Sequence, residues 1–132
     1  ARKVSLDEMS FAFDYIKGRG HDIIYDERLF CSCHQFAGDD DTRASLLQEY
    51  LDRDDIDVIL CARGGYGTVR IIDKLNFDKF LQKPKWIAGY SDVTVLHAKL
   101  QSLGCESLHS QRYCFRWYCY QQQRRQLLQI IS

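Results

Sequence analysis

The chain has 132 residues, 45% of them hydrophobic and 27% charged, a composition that excludes disordered, collagenous and membrane-spanning classes and allows at most one compact domain. Eighteen Lys and Arg balance eighteen Asp and Glu, so no bulk field recruits nucleic acid or anionic lipid. No apolar run approaches the roughly 20 residues of a membrane span, and no charged start leads into an apolar segment of the secretory kind. The expected setting is therefore cytoplasmic, with neither membrane nor nucleic acid as partner.

The elements follow from periodicity. Ser5 with Glu8 three residues on is a capping-box pattern, and Met9, Ala12, Phe13 and Ile16 fall at helical spacing until Gly18 and Gly20. His21 to Tyr25 reads as a short strand and Cys31 to Asp39 as a loop. A helix capped by Asp40 or Asp41 carries Ala44, Leu47 and Leu51 on one face. Val58 to Ala62 is a continuous apolar run, as in a strand buried on both faces of a parallel sheet. Gly67 to Leu75 is predicted helical through Val69, Ile72 and Leu75, and Phe77 to Leu81 a short helical turn. After Pro84 come a strand, Trp86 to Gly89, a helix, Asp92 to Leu103, and a last strand, Cys105 to His109. This alternation predicts an α/β fold, a mostly parallel sheet flanked by helices, which binds ligands at its strand carboxyl ends.

The two ends differ in composition from the middle. Residues 1–109 hold all eighteen acidic and fourteen basic residues, a balance of minus four. Residues 110–132 contain four arginines, five aromatics and two cysteines, but no Asp, Glu or Lys. That shift divides the chain into a domain, 1–109, and an atypical basic and aromatic tail, 110–132, whose composition suits a frame-shifted or otherwise aberrant end. At the other end the first helix signal follows Ala1 with no strand before it. Both ends read as cuts or junctions.

Two strand ends carry chemistry. Arg63-Gly64-Gly65-Tyr66-Gly67 follows one strand, and its glycines let backbone N–H groups approach an anion or a developing oxyanion. A tight turn is the plain alternative. Neither nucleotide fingerprint fits, because no Lys-Ser/Thr follows and the Gly-x-Gly-x-x-Gly spacing is absent. Gly89-Tyr90-Ser91-Asp92 marks an abrupt strand-to-helix turn. There Ser91 is either an exposed nucleophile on an elbow or the N-cap of the helix, with Asp92 favourable in its first turn. Together the two strand ends set a donor loop beside a candidate nucleophile, the geometry of acyl transfer.

The run Cys61-Ala62-Arg63-Gly64-Gly65-Tyr66-Gly67, followed by Ile87-Ala88-Gly89-Tyr90-Ser91-Asp92-Val93-Thr94, closely resembles the LD-carboxypeptidases, the serine peptidases that include murein tetrapeptide and microcin C self-immunity enzymes. The resemblance covers residues 1–109. It implies Ser91 as nucleophile, and as oxyanion donors the backbone N–H of Asp92 and that of a loop glycine, either Gly64 or Gly65. The implied reaction hydrolyses the L,D amide bond that releases terminal D-alanine from a murein tetrapeptide in bacterial cell-wall recycling. A muropeptide substrate, no metal, no organic cofactor and a homodimer in the intact enzyme belong to the same expectation.

The family draws the Glu and His of its triad from a C-terminal domain and begins with a strand ahead of the first helix. The sheet is thus expected to be truncated at both ends, and the chain to be inactive or nearly so alone, since proton transfer contributes roughly a hundredfold to ten-thousandfold. Of the four histidines, His97 is six residues past Ser91 on the helix and reads as a packing or solvent residue; His21 begins a strand, and nothing orients His34. His109 ends a strand at the Ser91 edge, but no acidic residue follows to orient it. Cys31-Ser32-Cys33 is too tight for a metal knuckle, Cys114 and Cys119 have no histidine near, and Cys61 and Cys105 fall on predicted strands, so thiols are expected. Two other readings stay open: a phosphate- or nucleotide-binding α/β module, and a non-catalytic fragment.

Overall fold

Helix α1 (Leu6–Lys17) begins where the Ser5 hydroxyl accepts from the Glu8 N–H at 3.2 Å and the Glu8 carboxylate accepts from the Ser5 N–H at 3.0 Å. This reciprocal cap satisfies two donors that a helix start leaves orphaned. The helix buries Met9, Phe13 and Ile16 and ends at Gly18. The computed structural model describes residues 1–110 and 128–131. Strand β1 (Ile23–Ile24) leads through a 3-10 turn (Glu27–Phe30) to α2 (Asp40–Asp52), capped by the Asp39 carboxylate on the Thr42 N–H at 2.7 Å. Then come β2 (Val58–Cys61), a 3-10 turn (Ile72–Lys74), α3 (Asp78–Gln82), β3 (Trp86–Gly89), a 3-10 turn (Ser91–Val93), α4 (Thr94–Ser102), β4 (Leu108–His109) and β5 (Leu128–Ile131).

The strands form one sheet in the order β1-β5-β2-β3-β4, every neighbouring pair parallel. Helices cover both faces, as the alternation predicts. Ile59 and Ile87, fully buried, point into a core with Leu47 and Leu51 of α2, Phe80 of α3, and Leu96 and Leu100 of α4. Val58, Leu60 and Ala88 point the other way, against Met9, Phe13 and Ile16 of α1. The apolar run of β2 is therefore buried from both sides, each large side chain contributing about 1.5–3 kcal/mol.

Lys85 sits at the strand-start end of the sheet. Its ammonium is buried and donates to the carbonyls of Tyr50 at 3.2 Å and Leu51 at 2.8 Å, and also to that of Arg53. These carbonyls close α2, whose last turn lacks a basic residue of its own, so Lys85 supplies the C-terminal charge from a distant strand. Burial holds its ammonium below the ordinary lysine range.

Three expectations need correction. Gly67 to Leu75 is not an α-helix: after the glycine loop the chain makes turns, and only Ile72–Lys74 winds into a 3-10 turn. Val69, expected on its apolar face, is 56% exposed. The last strand covers only Leu108–His109, because the Cys105 N–H is spent on the Leu100 carbonyl at 2.9 Å, closing α4 through Gly104 at φ +77°. And the cap of α2 is Asp39, not Asp40 or Asp41, because it is the Asp39 carboxylate that reaches the Thr42 N–H. The sheet also takes in β5, which pairs with both β1 and β2 (Ile23 with Leu128, Leu60 with Ile130) and lies between them. The rest of the tail reading, including Arg112, Cys114 and Cys119, lies outside the described residues.

Candidate active site

Strands β2 and β3 run side by side in parallel, with Leu60 opposite Ala88, so the loops that leave their carboxyl ends emerge together. Gly89, the last residue of β3, faces Cys61 and Val93 so closely that a Cβ there would lie 2.9 Å from Cys61 Cβ and 2.8 Å from Val93 Cγ1. Tyr90 continues extended, and Ser91 then turns at φ +61°. This left-handed conformation costs a non-glycine residue roughly 1–2 kcal/mol and collects at functional turns. Ser91 is exposed and caps nothing: neither the 3-10 turn nor α4 has a side-chain cap. The N-cap alternative for Ser91 therefore has no hydrogen bond behind it.

The glycine loop lies directly against this turn. A Cβ on Gly64 would sit 2.9 Å from Ser91 Cβ and 3.2 Å from Ser91 Oγ, so only a glycine lets loop and serine approach this closely. Gly65, at φ +132°, packs against Arg2, whose N–H donates to the Gly64 carbonyl at 3.1 Å. Tyr66 follows at φ +62° with its ring 85% exposed. Two non-glycine left-handed residues, Tyr66 and Ser91, thus belong to the two loops that meet here.

The Asp92 side chain, expected only as a favourable charge in the first helical turn, joins the loops. Asp92 Oδ2 accepts from the Gly67 N–H at 3.0 Å, the Thr68 N–H at 3.0 Å and the Thr68 hydroxyl at 2.8 Å. The donors that a phosphate would use at Gly67 and Thr68 are already taken by a carboxylate of the protein, and no α-helix starts there to supply a dipole. The phosphate reading therefore gains no support at this end of the loop.

Behind the loop stands Arg43, 2% exposed, paired with Asp40 and lying 4.7 Å over the Phe36 ring. Its Nη1 has no hydrogen-bond partner and fills the space under Gly67, where a Cβ would come within 1.9 Å of it. Arg70 covers the same ring at 5.4 Å and pairs with Asp40 at 2.8 Å. This cluster braces the segment after the loop, and nothing in local spacing announced it.

The histidines divide as follows. His97 is buried with both ring nitrogens engaged, Nε2 with the Gly89 carbonyl at 3.0 Å and Nδ1 with Ser107 Oγ at 2.8 Å; it holds the β3 end two residues before Ser91 and has no free nitrogen for proton transfer. His109 lies opposite Gly89 across the ladder, exposed, its ring 5.8 Å from that of His97. His34 is exposed on a turn at φ +53°. Cys61, whose Cβ faces Gly89 at the end of β3, is pushed up to about 12 by burial, so its thiol stays neutral. Among the described residues no group of three His, Cys, Asp or Glu side chains could hold a metal ion.

Comparison with known proteins agrees with the motifs. The LD-carboxypeptidase N-terminal domain family matches residues 1–110. A Bacillus subtilis protein described as "Probable murein peptide carboxypeptidase" is 40% identical over 74 residues, 55% of this chain and 23% of its own length. The "Murein tetrapeptide carboxypeptidase" of Pseudomonas aeruginosa is 24% identical over 110 residues, 83% of this chain and 36% of its own length. Among solved structures, the muramoyltetrapeptide carboxypeptidase from Oxalobacter formigenes superposes with a TM-score of 0.71 at 28% identity, covering 80% of this chain and 36% of that one. The chain spans about a quarter to a third of the length of these relatives. With the domain matched across most of its residues, the chain belongs to the LD-carboxypeptidase family, of which it carries the N-terminal domain.

Proposed function

We propose that this chain is the nucleophile-bearing part of a serine LD-carboxypeptidase that hydrolyses the L,D amide bond of murein tetrapeptides and releases terminal D-alanine in the bacterial cytoplasm. The observation that carries this reading is Ser91 at φ +61°, exposed and uncapped, against Gly64 of the neighbouring strand end. In the proposed reaction Ser91 Oγ attacks the amide carbonyl and loses its proton to a base. The carbonyl oxygen becomes an oxyanion facing the N–H of Asp92 and that of Gly64 or Gly65. Collapse of the adduct breaks the C–N bond, the amine of D-alanine takes up the proton, and water then hydrolyses the acyl-serine.

The base is not assigned within this chain. His97 has both nitrogens engaged, and His109 has no described carboxylate partner. By resemblance to the family, base and orienting carboxylate come from a C-terminal domain, so residues 1–109 work as half of a site and residues 110–132 as an addition foreign to it. Fusing the chain to the C-terminal domain of a family member should restore D-alanine release from murein tetrapeptide, read by mass spectrometry, and Ser91→Ala should abolish it. Release that survives Ser91→Ala would overturn the assignment.

A further inference from the structure

We propose that the Asp92 side chain is a positioning residue, clasping the glycine loop to the Ser91 turn and so fixing the distance between nucleophile and loop donors; this rests on the serine peptidase reading above. Oxyanion stabilisation depends on donors held in place before charge develops. Loop and turn belong to different strand ends, and β-ladder pairing stops at Leu60 with Ala88, so the sheet does not set their spacing beyond that point. The Asp92 carboxylate does: one oxygen gathers three donors, Gly67 N, Thr68 N and Thr68 Oγ1, at 2.8 to 3.0 Å, from a residue adjacent to Ser91.

The surroundings are built for that clasp. Thr68 is 7% exposed, so its donors cannot fall back on bulk water if the carboxylate is lost. Arg43 fills the space beneath Gly67 and blocks inward collapse of the loop. Both left-handed residues, Tyr66 and Ser91, lie next to the residues the clasp joins, Gly67 and Asp92. Such strain persists only where the surroundings over-determine it. One residue then serves twice, its backbone N–H facing the oxyanion and its side chain holding the loop that brings the second donor.

The test compares the full chain with Asp92→Ala, Asp92→Asn and Thr68→Val, by two readouts. The first is amide exchange followed by NMR. In Asp92→Ala, protection of Gly67 and Thr68 should fall at least about tenfold while that of Ile59 and Leu60 in β2 holds. The second is phosphonylation by a fluorophosphonate, in which Ser91 Oγ bonds to phosphorus, fluoride leaves and the hydroxyl proton passes to solvent. Its maximal rate should fall roughly tenfold or more in Asp92→Ala with reagent affinity unchanged. Asp92→Asn, whose amide oxygen still accepts, should recover most of that loss, and Thr68→Val should fall between. A merely structural role would lower the melting temperature without this split between rate and affinity. Equal exchange of Gly67 and Thr68 in wild type and Asp92→Ala overturns the clasp whatever Ser91 does; a wild-type chain that never reacts at Ser91, yet loses protection in Asp92→Ala, overturns the serine reading and leaves the clasp standing.

Discussion

Gly64→Ala puts a steric load on the close approach of the glycine loop to Ser91. The added methyl would meet Ser91 Cβ at 2.9 Å, Ser91 Oγ at 3.2 Å and the Tyr90 carbonyl oxygen at 3.2 Å. Apolar atoms pack best near 3.5–4.0 Å, so loop and turn must separate by about half an ångström. Gly64 has no positive φ, hence no backbone penalty blurs the effect. Overpacking of this kind costs about 1–3 kcal/mol, or roughly 3–12 °C in melting temperature for a chain this long. Gly104→Ala is the control: φ is +77° and nothing lies within 4 Å of its Cβ, so it costs about 1–2 kcal/mol of backbone strain alone. The assay pairs thermal unfolding by circular dichroism with fluorophosphonate labelling at Ser91. Gly64→Ala should lose both stability and at least about tenfold in labelling rate, as expected of a sub-ångström displacement at a reacting centre; Gly104→Ala should lose stability only. A Gly64→Ala chain that melts and labels like wild type would refute the close approach of loop and serine.

Three further outcomes follow from other parts of the molecule. Lys85→Met leaves the Tyr50, Leu51 and Arg53 carbonyls at the end of α2 without this donor and should cost about 1–3 kcal/mol in urea unfolding; no change would mean that the ammonium does not cap that helix. Arg28 hydrogen-bonds Asp26 at 2.8 Å and Glu49 at 2.9 Å, which holds both carboxyls below their ordinary range. Depressed carboxylates lend stability above their unfolded pKa, near about 4, and lose it as pH falls through the folded values. The melting-temperature gap between wild type and Arg28→Met should therefore be full at neutral pH and close on acidification, and a gap independent of pH would contradict it. Deleting residues 128–132 removes the strand that joins β1 to β2, and even a few lost ladder bonds at about 1 kcal/mol each, with two edges uncovered, should lower the melting temperature and promote aggregation. An unaffected, monomeric chain would show that β5 contributes nothing to the sheet.

What could be read from the sequence was local or periodic. The Ser5 and Glu8 box needs only a three-residue spacing, and the apolar run of β2 declares two buried faces by itself. The two loops could be placed at one sheet edge because parallel strands send their carboxyl ends the same way. The predicted helix over Gly67 to Leu75 gives way to turns, in which the Gly67 and Thr68 N–H groups go to Asp92, a carboxylate 25 and 24 positions further on. Helical spacing at Val69, Ile72 and Leu75 carried no information about that long-range partner. His97 read as a packing or solvent residue; it is buried, and its bridge between Gly89 and Ser107 depends on the pairing of β3 with β4. Strand β5 was missed for a different reason: the apolar run Leu127-Leu128-Gln129-Ile130-Ile131 suits a strand, but its place between β1 and β2 depends on pairing with strands far back in the chain.

Peptide mapping of this chain after exposure to a fluorophosphonate tests directly whether Ser91 is the nucleophile. Ser5, Ser10, Ser45 and Ser102 serve as internal controls, each exposed on or beside a helix. Slow modification confined to Ser91 and absent from Ser91→Ala is expected. Modification spread evenly over the exposed serines, or none at Ser91 in a chain shown to be folded, would contradict it.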